Sequence, residues 1–460
     1  MKFSCHFLMV FALCVVCWEA QVTAQDWPQW RGPNREARLV SFETPKTWPS
    51  ELSKKWSVTI GDGVSTPALV GDKLFVFSRQ GDDEVLRCLN ANTGDELWKD
   101  QYAADPVSGP ASGFSGPRAS PTVADGKVVT LGVHGVLSCF DAETGKTIWR
   151  LTDTVGETPR FQTSSSPLVL KGMCIVQLGA EQDGFIAAYD MENGEQLWKW
   201  SGDGPSYGSP ELMTFDDLQV VIAPTSSKLV ALNAADGSLM WEMEYRQGRY
   251  NAATPIVDGQ TLIVAGPTRG FTAMKMSREG DQLKAEELWK NADNTVLYNT
   301  PVLDSGKLYG ITTANAMFCM DAQTGETEWS TARASEETDR QDEAQGRSDR
   351  GGDRGDRRGA GRGERGDRGG RGIGRQGGGR GGRRGGGGGY GSVVAAGDIL
   401  FSLTPSEGNL IVSQANADEF KQLASYKVAE AGSYAYPIIT ANGIFIKDQD
   451  AITRWSLGGE

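Results

Sequence analysis

The chain of 460 residues is acidic, with a formal net charge of −13, and 39% of its residues are hydrophobic. Its two histidines exclude a His-based metal cluster, and no stretch after residue 24 reaches the roughly 20 apolar residues of a transmembrane helix. At roughly 150 residues a domain, this length corresponds to about three domains, unless the sequence is a repeat array.

Residues 1–24 are predicted to be a secretory signal peptide. Lys2 precedes an apolar run at 7–18, and the small residues of "VTA" end at Ala24. We therefore expect an exported chain, periplasmic or extracellular. A lipid anchor is the alternative. It requires a Leu-rich stretch and then a small residue before the modified Cys, whereas Cys14 follows Leu13 and Cys17 follows Val16.

Residues 25–50 contain the segment "DWPQWRGPNR" at 26–35. Because this segment directly precedes a strand expected to close the fold, we interpret it as a closure segment lying across one end of the ring seam. A ligand role for Trp27 and Trp30 is the weaker alternative.

One motif recurs along the chain, and its copies are "CLNANTGDELWK" at 88–99, "CFDAETGKTIWR" at 139–150, "AYDMENGEQLWK" at 188–199, "ALNAADGSLMWE" at 231–242 and "CMDAQTGETEWS" at 319–330. A looser copy spans 274–290. The Asp or Asn and the Gly of each copy predict a tight turn, since Gly adopts a positive φ at little cost. The Trp then falls on the strand that follows.

A Ser or Thr followed by Pro precedes each copy, and these elements end at Pro67, Pro121, Pro167, Pro210, Pro255 and Pro301, with degenerate versions at 391–393 and 435–437. Between them, apolar runs flank hairpin signals such as "GD" and "DG". Four antiparallel strands in every repeat are typical of a β-propeller blade. Eight such starts predict an all-β, eight-bladed propeller of four-stranded antiparallel blades.

The last repeat supplies only three strands, and "LSKKWSVTIG" at 52–61 is predicted to supply the fourth. A ring closed by this N-terminal strand leaves no exposed edge to pair with another chain. The predicted propeller thus covers 51–333, with the closing strand and blades 1–6, and 390–460, with blades 7 and 8.

The segment 334–389 between these parts is first acidic and then Arg/Gly-rich. Residues 346–389 hold 13 Arg against five acids, a local charge of +8, which leaves −21 for the rest of the chain. Its composition predicts disorder. The partner expected for it is an anionic cell-envelope polymer or a protein, and not a nucleic acid, because the chain is predicted to be exported.

The residue three positions before each blade-start Pro is predicted to lie above the innermost strand, in a ring around the central channel. These positions are Val64, Arg118, Ser164, Tyr207, Ala252, Tyr298, Tyr390 and Tyr434. The neighbouring polar residues added to this candidate ligand site are Arg249, Tyr250, Asn251, Asn299 and Tyr436. Aromatic faces beside a guanidinium suit sugars, aromatic ligands or an extended peptide, with Arg118 holding a carboxylate or phosphate. The competing interpretation is that the tyrosines only plug the channel.

The "DAxTGxxxW" unit with its Ser/Thr-Pro start resembles the PQQ-like repeat of quinoprotein alcohol dehydrogenases and of BamB-type outer-membrane assembly lipoproteins. The W-x-x-W-x-G of Trp27, Trp30 and Gly32 is similar to the segment that precedes the first blade in quinoproteins. This resemblance implies a structural role between neighbouring blades for the repeat tryptophans, which are Trp56, Trp98, Trp149, Trp198, Trp241, Trp289 and Trp329. A buried Trp removes about 150–250 Å² of surface from water, and the resulting stabilisation is reason enough for a Trp at these positions without any ligand.

The resemblance does not supply a catalytic residue. Quinoprotein enzymes hold the quinone against adjacent cysteines and bind Ca²⁺ beside it, whereas this sequence contains neither a Cys-Cys dipeptide nor a haem-attachment C-x-x-C-H. We therefore predict no catalytic residue, no metal site and no resident cofactor, with PQQ and Ca²⁺ as the alternative.

The favoured hypothesis is a monomeric, non-catalytic binding or assembly scaffold that engages protein partners. Binding of a small molecule or polysaccharide at the channel mouth, or a quinoprotein-type oxidoreductase, is the alternative.

Overall fold

A computed structural model describes residues 26–39, 42–152, 157–248, 251–331, 390–404, 408–430, 432–441 and 443–458. The predicted signal peptide and the predicted disordered segment 334–389 lie outside these residues.

The described residues form eight sheets of antiparallel strands. Six of them consist of four consecutive strands, and each of the other two includes one strand from the N-terminal segment. In the six sheets without an N-terminal strand, the first strand in sequence lies innermost, at the central channel, and the last lies outermost. The predicted eight-bladed propeller is confirmed.

Blades 1 to 4 follow one another along the chain, with a 3-10 helix η1 (Gly109–Ala111) between the first two. Blade 1 consists of β3 (Ala68–Val70), β4 (Lys73–Gln80), β5 (Asp83–Asn90) and β6 (Glu96–Ala103). Blade 2 consists of β7 (Thr122–Ala124), β8 (Lys127–Leu131), β9 (Leu137–Asp141) and β10 (Thr147–Leu151). Blade 3 consists of β11 (Leu168–Leu170), β12 (Met173–Leu178), β13 (Phe185–Asp190) and β14 (Gln196–Trp200). Blade 4 consists of β15 (Glu211–Phe215), β16 (Leu218–Pro224), β17 (Lys228–Asn233) and β18 (Leu239–Glu244).

Blades 5 to 8 complete the ring. Blade 5 consists of β19 (Ile256–Asp258), β20 (Thr261–Gly266), β21 (Gly270–Glu279) and β22 (Gln282–Asn291). Blade 6 consists of β23 (Val302–Asp304), β24 (Lys307–Ile311), β25 (Met317–Asp321) and β26 (Thr327–Ser330). Blade 7 contains β27 (Ser392–Ala396), β28 (Ile399–Thr404), β29 (Asn409–Gln414) and β30 (Gln422–Lys427). Blade 8 contains β31 (Ile438–Thr440), β32 (Gly443–Lys447) and β33 (Ala451–Ser456).

Two N-terminal strands join the end of the chain to its beginning. The predicted closing strand β2 (Ser53–Thr59) pairs antiparallel with β33 and becomes the outermost strand of blade 8. A second strand, β1 (Arg38–Leu39), pairs parallel with β27 on the channel side of blade 7, which the sequence did not predict. The N-terminus thus contributes to both blades that come last in sequence.

The second strand of most blades is buried on both faces, because blades stack against each other. In β12, for example, every residue after Met173 is buried. This explains why such strands have nearly continuous apolar sequences instead of alternating ones. The core is therefore a ring of apolar layers between blades, and its largest cluster lies at the seam of blades 6, 7, 8 and 1.

Each blade is linked to the next by the repeat tryptophan. The indole N–H of Trp149, for example, donates to the carbonyl of Met191 at 3.1 Å, in the turn before the last strand of blade 3. The equivalent hydrogen bonds join Trp56 to Ala91, Trp98 to Ala142, Trp198 to Ala234, Trp289 to Ala322 and Trp329 to Asn416. Trp241 is the exception among the seven, because β21 and β22 of the next blade continue as a long hairpin instead of making the short turn.

The glycine of each short turn lies against the tryptophan of the preceding blade. Gly145 has a φ of +73°, and a Cβ there would lie 2.5 Å from the Trp98 ring. Gly126 has nearly the same φ, +72°, but open space around it.

Replacing Gly145 with Ala is expected to lower the free energy of unfolding by the backbone cost of about 1–2 kcal/mol plus about 1–3 kcal/mol of overpacking. Gly126→Ala is the matched control, since it carries the backbone cost alone. Denaturant unfolding of both variants measures the difference, and equal losses would contradict a packing role for Gly145.

The Ser or Thr at the starts of blades 1 to 6 forms part of a belt of hydrogen bonds around the channel. In blade 1, the backbone N–H of Thr66 donates to the hydroxyl of Ser120 in blade 2 at 3.1 Å. The remaining bonds run from Ser120 to Ser166, Ser166 to Ser209, Ser209 to Thr254, Thr254 to Thr300 and Tyr436 to Thr66. The hydroxyl of Ser392 in blade 7 does not join the belt. Most innermost strands have no neighbouring strand on the channel side, so the belt hydroxyls satisfy backbone groups that would otherwise be unpaired.

The closure segment crosses the central channel and contacts more of the ring than its seam. The backbone of Trp27 pairs with Leu69 of blade 1, and Arg31 donates to the carbonyls of Thr300 and Pro301 in blade 6 at 3.0 and 2.8 Å. Arg35 reaches blades 3 and 4, where it donates to the carbonyls of Pro167 and Pro210, both at 3.1 Å. The segment was expected across one end of the ring seam. It also crosses the channel, because its arginines reach blades 3, 4 and 6. We call residues 26–39 the channel plug.

Candidate functional site

A cavity of about 280 Å³ opens at the end of the channel where the innermost strands begin. All eight predicted ring positions line it, from Val64 and Arg118 round to Tyr434. The channel plug contributes Trp30 to the same lining. We call this space the mouth cavity. Because the plug crosses the channel, the cavity is a cup and not an open pore.

The mouth residues are positioned by the hydrogen-bonded belt, because each lies two residues before a belt Ser or Thr or its equivalent. Aromatic contacts then fix one side of the cavity. The rings of Tyr298 and Tyr390 stack with centroids 4.2 Å apart, and Tyr434 meets Tyr390 edge-on at 4.8 Å. On the far side of Tyr434, Phe114 makes a T-shaped contact at 5.0 Å. These contacts make one wall largely aromatic.

Trp30 lies at the inner end of the mouth cavity. Its ring meets that of Tyr436 edge-on at 5.9 Å, and the guanidinium groups of Arg31 and Arg35 lie 5.5 and 5.6 Å from its centroid. Both arginines are almost fully buried. Cationic groups therefore pack against the aromatic residue that closes the cavity.

Arg118 is the one cationic residue in the lining of the mouth cavity. Its Nη2 donates to the carbonyls of Phe114 at 2.8 Å and Ala111 at 3.4 Å, whereas its Nη1 is buried without a hydrogen-bond partner. Burial lowers the pKa of Arg118, and the nearby carboxylates of Asp62 and Glu84 oppose that shift. The guanidinium remains charged, as arginine does in proteins.

Two predicted site residues do not line the cavity. Asn251 is buried, and its amide donates to the carbonyls of Thr225 and Tyr245, so its side chain supports a turn instead of a ligand. Asn299 is also buried, donates to the carbonyl of Ile311 and does not line the cavity. The predicted residues Arg249 and Tyr250 lie outside the described part of the chain.

Sequence reasoning missed several lining residues. Phe114 and Phe161 come from the loops that lead into blades 2 and 3, whereas Tyr436, at the belt position of blade 8, lines the cavity as the sequence predicted. A signal was present for the two phenylalanines, because each lies within four residues of a ring position in the chain. The contribution of Trp30 had no such signal, since it depends on the path of the plug.

A second cavity, of about 340 Å³, lies on the opposite side of the plug, beside β19 of blade 5. In it, Nε of Arg35 lies 3.4 Å from the carboxylate of Glu211, and both side chains are buried. Burial raises the pKa of Glu211 to about 7, although the charges of Arg35 and Arg31 oppose this shift. The more exposed Arg38 pairs with Asp304 at 2.8 Å.

The donor set of the mouth cavity does not fit a PQQ and Ca²⁺ centre. Its lining contains no Asp, Glu or Asn. Among the described residues, no group of three or more His, Cys, Asp and Glu side chains is arranged to hold a metal ion. Ca²⁺ takes six to eight oxygen ligands with carboxylates among them, and the cavity offers hydroxyls and a guanidinium instead.

Comparison with known proteins agrees with the repeat architecture. Residues 81–331, more than half of the chain, match the family model described as outer membrane protein assembly factor BamB. The chain belongs to the PQQ-like repeat propeller family. Within this family, both BamB proteins and quinohemoprotein alcohol dehydrogenases are similar to it.

The sequence relatives cover only parts of the chain. The quinohemoprotein alcohol dehydrogenase of Comamonas testosteroni is 30% identical over 38% of this chain and 25% of its own length. Outer membrane protein assembly factor BamB of Bordetella pertussis is 27% identical over 44% of this chain and 50% of its own length. The chain therefore spans between a quarter and a half of these propeller relatives.

Solved structures of the family share the fold. BamB from Moraxella catarrhalis matches 88% of this chain and 99% of its own, with a TM-score of 0.57 and 14% identity. The Comamonas testosteroni enzyme matches 95% of this chain and 81% of its own, with a TM-score of 0.62 and 14% identity. None of the helices in the described part of the chain has the length and apolar character needed to span a membrane.

Proposed function

We propose that this propeller is a monomeric, non-catalytic binding protein of the cell envelope that engages a partner protein at its mouth face. The observation that carries the proposal is the blocked channel: the plug turns the mouth into a cup lined by five tyrosines, two phenylalanines, a tryptophan and one arginine. Tyr, Trp and Arg are the residues that contribute most to binding energy in protein interfaces.

The composition of the lining favours binding over chemistry. A general acid or base needs a titratable group within hydrogen-bond reach of its substrate. The titratable groups of the lining are tyrosine phenols, and burial raises the pKa of Tyr434 above its ordinary value, so this phenol stays protonated. The guanidinium of Arg118 is permanently charged, and its carboxylate neighbours Asp62 and Glu84 are not part of the lining. The same lack of lining carboxylates argues against a quinoprotein-type oxidoreductase.

Export remains part of the proposal and rests on the signal-like residues 1–24. The relatives named outer membrane protein assembly factor agree with a location in the envelope. The free cysteines also fit an exported chain that needs no disulfide, because Cys88, Cys139, Cys174 and Cys319 are all buried, and burial raises the pKa of their thiols.

The described residues on either side of the Arg/Gly-rich segment both lie at the mouth face. Thr331 follows the outermost strand of blade 6 at its mouth-side end, and Tyr390 lines the mouth cavity. We propose that the +8 charge of residues 346–389 attracts an anionic partner surface to this face. Salt would weaken such an attraction.

Site-specific crosslinking tests the proposed function. With the photocrosslinker p-benzoylphenylalanine in place of Ser112, an exposed residue that follows the lining residues Pro110 and Ala111, irradiation of cells that export the protein is expected to give one discrete adduct. Ser277 is the matched control position, because it is exposed on the long β21–β22 hairpin of blade 5, away from the mouth. Adducts that form equally at both positions, or at neither, would contradict a mouth-face partner.

Thermal melting tests the cofactor alternative. Because the lining lacks Ca²⁺ ligands, adding PQQ and Ca²⁺ well above micromolar concentration is expected to leave Tm unchanged in both the parent protein and Arg118→Ala. A ligand that binds the folded state must raise Tm by mass action. A rise in the parent that disappears in Arg118→Ala would support cofactor binding instead.

A further inference from the structure

The chemistry of the mouth cavity narrows the kind of group that it binds. We infer that the cavity takes a single carboxylate attached to an aromatic or aliphatic group. This inference rests on the proposed binding role of the mouth face and specifies its ligand.

Every polar side chain of the lining can donate a hydrogen bond, and none of them can only accept one. Arg118 has five N–H donors and no acceptor, and the other polar side chains in the lining are hydroxyls of Ser, Thr and Tyr. No carboxylate or carboxamide is present in the lining to accept from ligand hydroxyls. A neutral sugar, with a donor on every hydroxyl, is therefore less well matched than a group that only accepts, such as a carboxylate.

Arg118 contributes a donor that the protein itself leaves unused. Nη2 is held by the carbonyls of Phe114 and Ala111, whereas Nη1 is buried without a hydrogen-bond partner. A buried donor that is left unpaired destabilises the folded state. Because Arg118 lines the cavity, a carboxylate that enters it can pair with this guanidinium in a charge-assisted contact.

The closed end of the cavity favours an anion as well. The guanidinium groups of Arg31 and Arg35 lie against Trp30, directly behind the lining. Glu211, the acid paired with Arg35, compensates these cations incompletely, because burial raises its pKa to about 7.

The remaining surface determines what accompanies the carboxylate. Tyr298, Tyr390, Tyr434 and Phe114 form a continuous aromatic wall. The volume of about 280 Å³ is at the small end of the range for ligand pockets. It therefore suits one flat or aliphatic group with its carboxylate, as at the C-terminus of a polypeptide or in a small organic acid.

Calorimetry with matched probes tests this inference on the full chain. We expect 3-phenylpropionate to bind at least tenfold more tightly than 3-phenylpropionamide, which has the same shape without the charge. Arg118→Met is expected to abolish this preference, whereas Arg278→Met, an exposed arginine of blade 5, is expected to retain it. Equal binding of acid and amide, no binding of either, or a preference that survives Arg118→Met would overturn the inference.

A second variant keeps the test decisive if Arg118→Met does not fold. Ser164→Phe fills the cavity from its rim and leaves the arginine in place, so it is expected to abolish binding of the acid. Unchanged binding in Ser164→Phe would place the probe elsewhere and overturn the inference.

A peptide pair distinguishes the two sources of the carboxylate. Gly-Ser-Gly-Ser-Phe with a free C-terminus is compared with its C-terminal amide. Binding of the free acid supports recognition of a polypeptide C-terminus, and binding of 3-phenylpropionate without the peptide supports a small organic acid. If neither acid binds while the crosslink from position 112 still forms, the inference fails and the proposed function stands. If the crosslink is lost while an acid still binds, the proposed function fails and the binding of the acid stands.

Discussion

Replacing Arg35 with Met is expected to lower the free energy of unfolding by about 3–5 kcal/mol. The guanidinium lies 3.4 Å from the carboxylate of Glu211 and is almost fully buried. It also donates to the carbonyls of Pro167 and Pro210. Its removal leaves a carboxylate and two carbonyls inside the ring without their partner.

The loss is expected to grow with pH. Burial raises the folded-state pKa of Glu211 from an ordinary value of 4.5 to about 7, so the stability associated with its protonation is complete below about pH 4.5 and is lost as pH rises through 7. In Arg35→Met the pKa moves still higher, because the cation that opposed the shift is gone. Below about pH 7 the carboxyl is protonated in both folded proteins, so the gap in unfolding free energy between parent and variant is constant there; it widens as pH rises from about 7 through the higher pKa of the variant.

Arg38→Met is the matched control from the same segment. Arg38 pairs with Asp304 at 2.8 Å, but 43% of its side chain is exposed, so its loss is expected to change stability by less than about 1 kcal/mol. Adding Glu211→Gln to Arg35→Met is expected to recover part of the loss and to remove its pH dependence. Equal effects of the two single variants in denaturant unfolding would show that the Arg35 contact is not a buried ion pair of this kind.

Replacing Trp289 with Ala is expected to lower the free energy of unfolding by about 3–5 kcal/mol. This side chain is 8% exposed and fills the gap between blades 5 and 6. Its indole N–H also donates to the carbonyl of Ala322 at 3.1 Å. Truncation opens a cavity between two blades and leaves that carbonyl unpaired, and thermal or denaturant unfolding measures the result.

Two variants separate the components of this effect. Trp289→Phe keeps most of the packing and loses the hydrogen bond, so a loss of about 0.5–1.5 kcal/mol is expected from it. Trp241→Ala removes a tryptophan that is only partly buried and makes no such hydrogen bond to the next blade, so it is expected to be milder than Trp289→Ala. A larger loss for Trp241→Ala would contradict the proposed link between burial, the turn carbonyl and stability.

The plug explains why stability and binding are connected in this propeller. Its arginines bind carbonyls on three blades, while its Trp30 lines the mouth cavity. A variant that loosens the plug therefore changes the shape of the cavity as well as the stability of the ring. Binding measurements on plug variants need the unfolding measurements beside them.

Local sequence determined the blades of this protein. Each turn glycine, each Ser/Thr-Pro start and each repeat tryptophan acts through neighbours at a fixed distance in the repeat, so their spacing alone predicted eight four-stranded units and the closing strand β2. The ring of positions around the mouth followed for the same reason, since a repeat places equivalent residues at equivalent points around the axis.

The tertiary structure alone decided what fills the centre of the ring. Trp30, Arg31 and Arg35 belong to no repeat, and the blade carbonyls to which the two arginines donate lie more than 130 residues away in the chain. The burial of Asn251 and Asn299 was also not predictable, because their amides are used by backbone carbonyls that only the folded turns bring near. Repetition fixes contacts between successive units, whereas a single segment crossing the axis is positioned by all the units together.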